Sequence, residues 1–245
     1  MAADAGLADR QGGLADLSPV ASTTLHESVY QVLRGQLMRG GFAAGEVLKI
    51  QSVAAQLETS TMPVREALVR LIGERALEAM PNRSVRVPLI SRARLDDLAG
   101  TRAVVEGEAL RRAIPSIASA ELKVLASLTD KYDAALRKGS GSSAAKAADL
   151  NHAFHAHLYA ASGSPVLLSI IESLWLQSGP YVRAAADVYR EDDGIAATHH
   201  HRAILTAISA RDTGAAVAAL AADIDFAFAL LRKRLPDPAT PGAEL

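Results

Sequence analysis

The stretch LETSTMPVREALVRLIGERALEAMPNRSVRV, Leu57–Val87, decides how the first third of the chain folds. Together with the preceding SVAAQ it reads as two helices joined by a tight turn around Glu58–Ser60. Ser60 or Thr61 suits the N-cap of the second helix, and Pro63 falls in its first turn, where the missing N–H costs nothing. Downstream, the turn-forming PNRS followed by alternating Val85 and Val87 predicts a short β-hairpin. Upstream, Leu25, Val29, Val32, Leu33 and Leu37 recur at helical spacing, and three glycines in RGGFAAGEVL break that pattern. Three helices and a hairpin in this order describe a winged helix-turn-helix, whose second paired helix enters the DNA major groove.

The rest of the chain reads as helix. Apolar periodicity marks segments at about 92–114, 119–138, 145–162, 165–189, 194–211 and 213–235. Pro115, KGSGSS, SGSP, EDDG and RDTG punctuate them. With only 4% aromatic residues and abundant alanine, helices packed through small side chains are favoured over a sheet. The expected organisation is a disordered tail over 1–22, a DNA-binding domain over 23–89, a bundle of about six antiparallel helices over 90–235, and a disordered tail over 236–245.

Composition removes several classes of chemistry. There is no cysteine, so disulfides, thiolate nucleophiles and Cys-type zinc sites are excluded. No apolar run is long enough to span a bilayer and no basic-apolar leader opens the sequence, so a cytoplasmic protein without a membrane partner is expected. The net charge of −1 gives no global sign of nucleic-acid binding. The balance is local: between Thr24 and Ile90 eight Lys and Arg face six acids. Arg65 is the leading candidate for a base or phosphate contact, since a guanidinium can bridge guanine O6 and N7. Ser60, Thr61 and Met62 open the same helix, and Asn82 and Arg83 sit at the wing tip. Arg70 and Arg75 read as solvated charges on the exposed helix face.

The PVREAL helix ending in RL, with the hairpin after it, resembles the GntR family of bacterial repressors over residues 25–88. Three positions depart from the pattern that the resemblance implies: Thr61 stands where Arg is usual, Gln51 near a frequent basic residue, and Ser84 where Gly is usual. DNA binding with an altered operator preference and a shallower salt dependence is the expectation.

The second question is seven histidines, six of them in two clusters. In THHHRAILTAI the apolar face is Ile204, Leu205 and Ile208, and His201 lies within about 15° of its centre, with His199 nearly opposite. In LNHAFHAHLYA the stripe is Leu150, Phe154 and Leu158. His152 faces away from it, while His155 and His157 flank it on opposite sides, and periodicity does not choose between them. Asn151 shares a face with His155.

NHAFHAHLYAASGSP and HRAILTAISARD resemble the ligand-binding (FCD) domain of the FadR subfamily of GntR regulators, over about residues 91–235. Many members bind a divalent metal through one Asp and three His on separate helices. Carried across, these positions fall on Asn151, His155, His201 and Asp223, so two match and two depart. One carboxylate remains, so the ligand charge is unchanged, and Asn is a poor zinc ligand. The resemblance implies zinc or nickel held mainly by His155, His201 and Asp223; a metal-free pocket that hydrogen-bonds an effector directly is the alternative. Arg102 and Glu106, i,i+4 neighbours inside an apolar stripe, are either a structural ion pair or, as the resemblance suggests, effector-binding residues for an organic acid. Trp175, Tyr181, Tyr159, Tyr189, Phe226 and Phe228 default to core or dimer contacts.

The expected function is a homodimeric, effector-responsive regulator, more often a repressor among relatives, acting on double-stranded operator DNA. A metal-dependent bundle enzyme is the alternative, weakened by the absence of an HD dyad, HExxH or a second carboxylate cluster. A bundle that serves only to dimerise is the third.

Overall fold

The computed structural model describes residues 25–81, 84–138, 142–189, 198–233 and 235. The tails expected at 1–22 and 236–245, and the wing-tip Asn82 and Arg83, lie outside the described residues.

The N-terminal unit runs α1 (Leu25–Met38), β1 (Val47–Leu48), α2 (Ile50–Gln56), α3 (Thr61–Gly73), β2 (Glu78–Ala79) and β3 (Val85–Arg86). Its core is the inward face of α1 (Val29, Leu33, Leu37) packed on that of α3 (Val64, Leu68, Leu71), closed by Val85 and Val87. The tight turn between α2 and α3 sets Glu58 at φ 50°, and Ser60 is the N-cap of α3 without a side-chain capping bond. The expected hairpin is present as β2 and β3, paired antiparallel with Ala79 opposite Val85.

A third strand was not expected. β1 pairs antiparallel with β3, Leu48 opposite Val85, giving the sheet order β1-β3-β2. Two residues carry no periodicity, so the strand left no alternating pattern to read. Backbone bonds hold it: Gly45 N–H donates to Val87 at 3.0 Å, and Val87 N–H to Glu46 at 2.9 Å. Gly45 sits at φ +75°, where a side chain is strained and a Cβ would press on Leu89.

Among the described residues six helices follow: α4 (Arg92–Ala113), α5 (Ser119–Lys138), α6 (Ser142–Ala160), α7 (Pro165–Tyr189), α8 (Thr198–Ser209) and α9 (Thr213–Arg232). Their starts are set by local chemistry. Ser91 Oγ accepts from Arg94 N–H to cap α4, and Asp212 Oδ1 accepts from Ala215 N–H to cap α9. All six close on one core that includes Leu95, Leu110, Leu125, Phe154, Leu158, Trp175, Ile204 and Leu220. Among the described residues, no helix is long and apolar enough to cross a membrane.

Candidate functional site

Three helices deliver one cluster. α6 supplies His155, α8 supplies His201 and α9 supplies Asp223, and one donor atom from each lies within 4.8 Å of the others. Both histidines are buried, and the Asp223 side chain is 15% exposed. His155 Nε2 stands 3.1 Å from Asp223 Oδ2, and His201 Nε2 stands 4.0 Å from the same oxygen. His201 stacks on Phe154, with ring centroids 3.9 Å apart and planes 9° from parallel. Both of its ring nitrogens are buried, with no hydrogen-bond partner among the described residues. Burial pushes its pKa down to about 3 against the pull of Asp223, so the imidazole is neutral. Burial alone would raise the Asp223 carboxyl; the His155 ring beside it, with His201 and His200 nearby, holds it below its usual value.

The periodicity left His155 and His157 undecided. His155 is the one in the cluster; His157 is half-buried and outside it. Asn151 lies one turn before His155 on α6, half-buried. His152 does not simply face away: it meets the Trp175 ring edge-on at 5.2 Å, because α7 packs against that side of α6. His199 is exposed and His200 half-buried beside Phe226.

A second layer fixes the first. Tyr159, read from the sequence as a core or dimer contact, lies one turn after His155 and accepts at 3.1 Å from its Nδ1 while donating its own proton to Glu106 Oε2 at 2.5 Å. The other Glu106 oxygen takes Arg102 Nε at 2.6 Å. Glu106 is fully buried and both of its oxygens are occupied. Arg102 is held over the Trp175 ring, 4.7 Å from its centroid, and Nε is its only hydrogen-bonding atom among the described residues.

Because the single Tyr159 proton goes to Glu106, Tyr159 can only accept from His155, which places the His155 proton on Nδ1. If that is the ring's single proton, the Nε2 lone pair faces a carboxylate oxygen 3.1 Å away. That contact is repulsive unless a proton or a metal ion lies between them. A neutral, unpartnered His201 at the same carboxylate adds a third donor with suitable chemistry, and a hydrogen bond fixing the tautomer of a metal-binding His is the usual second layer of such sites. The residues present fit a divalent ion.

The other expected site is the outward face of α3. Thr61, Met62 (60% exposed) and Arg65 follow one another along it, and Gln51 and Ser60 are also exposed. Arg65 has no hydrogen bond or ion pair among the described residues, whereas its neighbour Glu66 is tied to His26. Val69, 62% exposed one turn further on, completes the face and was missed. An exposed valine is the apolar residue periodicity discards. Arg70 is exposed, as the sequence reading has it, and also has partners: it stacks over Tyr30 with Cζ 3.5 Å from the ring centroid and pairs with Glu27 at 2.8 Å and Glu74 at 3.3 Å. The turn of α1 beside it supplies the ring and one acid.

Residues 97–226, over half of the chain, match the FCD domain, and residues 25–87 match the gntR family of bacterial regulatory proteins. The chain belongs to the GntR family and carries an FCD domain. The HTH-type transcriptional regulator McbR of Escherichia coli is 29% identical over 180 residues, which is 74% of this chain and 80% of that protein. The HTH-type transcriptional repressor GlaR of the same organism is 28% identical, covering 76% of this chain and 86% of its own. The solved structure of E. coli McbR/YncC superposes with a TM-score of 0.76 at 28% identity, over 86% of this chain and 98% of that one. A GntR regulator from Rhodococcus sp. RHA1 reaches 0.68 at 24% identity over 84% and 97%, which speaks to the fold alone. The GntR protein described here is a transcriptional regulator; nothing in these relatives supports the bundle enzyme.

Proposed function

We propose that this GntR regulator is a cytoplasmic homodimeric repressor of the FadR subfamily. Two α3 helices would read the half-sites of a two-fold operator while each bundle senses a small organic acid. On α3, Arg65 takes a base edge or phosphate and Met62 and Val69 meet thymine methyl groups; Thr61, the N-cap Ser60 and Gln51 of α2 contact the backbone, with Asn82 and Arg83 reaching from the wing.

In the bundle, His155, His201 and Asp223 would hold a divalent ion, zinc or nickel, with Asn151 as a weak fourth donor. A bound ion would supply open coordination positions for an effector carboxylate. Among the described residues the terminal nitrogens of Arg102 make no hydrogen bond, which suits them to the same carboxylate, and Glu106 and Tyr159 hold Arg102 and His155 in place. The observation that carries the metal reading is the 3.1 Å contact of His155 Nε2 with Asp223, made from a ring whose other nitrogen is already committed. Effector binding changes operator affinity only by the difference in its affinity for the two head placements.

The test is elemental analysis of the purified protein, followed by melting and operator-binding measurements with Zn²⁺ or Ni²⁺ and a panel of short mono- and dicarboxylic acids. Stoichiometric metal and an acid-dependent change in DNA affinity are expected. Full acid response after metal removal would favour the metal-free pocket.

A further inference from the structure

Helix α7 belongs to both halves of the molecule. Trp175 is buried in the bundle core against the candidate site, with His155 5.5 Å from its ring and Arg102 stacked on it. The next residue, Leu176, is 1% exposed and packs in the N-terminal core with α1 and α3. One turn earlier Glu172 pairs with Arg34 of α1 at 2.9 Å. Three residues after Leu176, the backbone of α1 lies directly on α7: a Cβ on Gly179 would fall 1.8 Å from the Leu37 carbonyl oxygen. Only glycine permits that approach.

The helix is weakened at the same place. Ser178 Oγ donates back to the Leu174 carbonyl at 2.7 Å, a bond that competes with the helix ladder and bends helices. Pro180, inside α7, has no N–H to give the Leu176 carbonyl. The segment Leu174–Pro180 therefore combines the face toward the candidate site, the face docked on α1 and an interrupted hydrogen-bond ladder within two turns.

We propose that this turn of α7 is the transmission element of the regulator: filling the His155–His201–Asp223 site shifts Trp175, and Leu176 and Gly179 carry the shift to α1 of the DNA-reading unit. The inference rests on the reading of that site as a metal site. Pro180 lets residues 165–179 move without dragging the C-terminal part of α7, and Trp175 acts as a positioning residue.

The test uses Ni²⁺ alone on the full chain. Trp175 is the single tryptophan, so its quenching reports occupancy, and hydrogen exchange of α1 amides reports the head. In the wild type, Ni²⁺ is expected to quench and to change exchange across residues 29–38 by at least about threefold. Gly179→Ala should keep the quenching midpoint within about twofold and lose the exchange response. Pro180→Ala, which restores the missing helix bond and should fold even if Gly179→Ala does not, should at least roughly halve the exchange response. Quenching without an exchange change in wild-type α1, or a wild-type response in Pro180→Ala, overturns the transmission route and leaves the metal site standing. No quenching overturns the metal site and the inference with it.

Discussion

His155 and Asp223 face each other at 3.1 Å across two helices, and the proton that a neutral His155 could offer is already committed to Tyr159. Something positive has to sit between them. A bound ion satisfies this, and it gives each neighbouring residue a distinct expected effect. His155→Ala, His201→Ala and Asp223→Ala should each abolish stoichiometric metal binding in calorimetric titration, leaving basal operator affinity nearly unchanged. Tyr159→Phe keeps the ring and every donor to the metal but frees the His155 tautomer, so metal affinity should fall about 10- to 100-fold. An unchanged affinity in Tyr159→Phe would show that the hydroxyl does not orient His155.

The same buried imidazole makes the metal-free protein acid-sensitive. His201 titrates near 3 when folded and at an ordinary 6.5 when unfolded. Between these values the unfolded chain binds a proton that the folded chain does not, so stability rises with pH and is lost as pH falls from 6.5 towards 3. Asp223, held below its usual value, pulls in the same direction at the acid end. Urea denaturation of metal-free protein should show a slope approaching about 1.4 kcal/mol per pH unit from this one group. Since other carboxylates titrate nearby, the decisive comparison is with His201→Gln, whose profile should be flatter over pH 6.5 to 4.

Glu106 and Arg102 are both buried, and neither tolerates the loss of the other. Burial works against the Arg102 charge, and the Glu106 carboxylate keeps its pKa above the ordinary value. Glu106→Ala should cost roughly 3–5 kcal/mol, because it strands a buried guanidinium and frees the Tyr159 hydroxyl. The double variant Glu106→Leu with Arg102→Met should lose less than either single change in thermal unfolding. It should nevertheless lose the acid response, which separates the stabilising role of the pair from the binding role proposed for Arg102.

The sequence was legible where a feature repeats along one helix and opaque where it depends on a second. Ile204, Leu205 and Ile208 were enough to turn His201 inward, and it is fully buried. His155 and His157 could not be separated that way. What distinguishes them, Asp223 on α9 and the Tyr159–Glu106 link to α4, lies on other helices. Tyr159 was passed over for the same reason, since a tyrosine on an apolar stripe looks like core until its hydroxyl has partners. β1 is too short to have a period. The SGP run in α7 was in plain view, but periodicity weighs apolar residues and is blind to the absence of a Cβ or an N–H. Its meaning appears only once Leu37 is seen lying on Gly179.

The DNA-reading face offers the last expectation. Arg65 is exposed on α3 and, among the described residues, has none of the ion pairs that occupy Arg70 and Glu66. If it neutralises a phosphate, Arg65→Ala should weaken binding to all duplexes alike and reduce the slope of log K against log salt by about 1. If it reads guanine, the loss should be about 1–3 kcal/mol on the cognate site only, with relaxed preference at one base pair. Thr61 precedes it by one turn on the same exposed face. Thr61→Arg restores the residue that the family resemblance leads one to expect and adds one cation to that face, so the salt slope should steepen by about 1. Operator affinities measured by fluorescence anisotropy across a salt series decide both points. A slope indifferent to Arg65 and to Thr61→Arg alike would move the DNA contact away from the first two turns of α3.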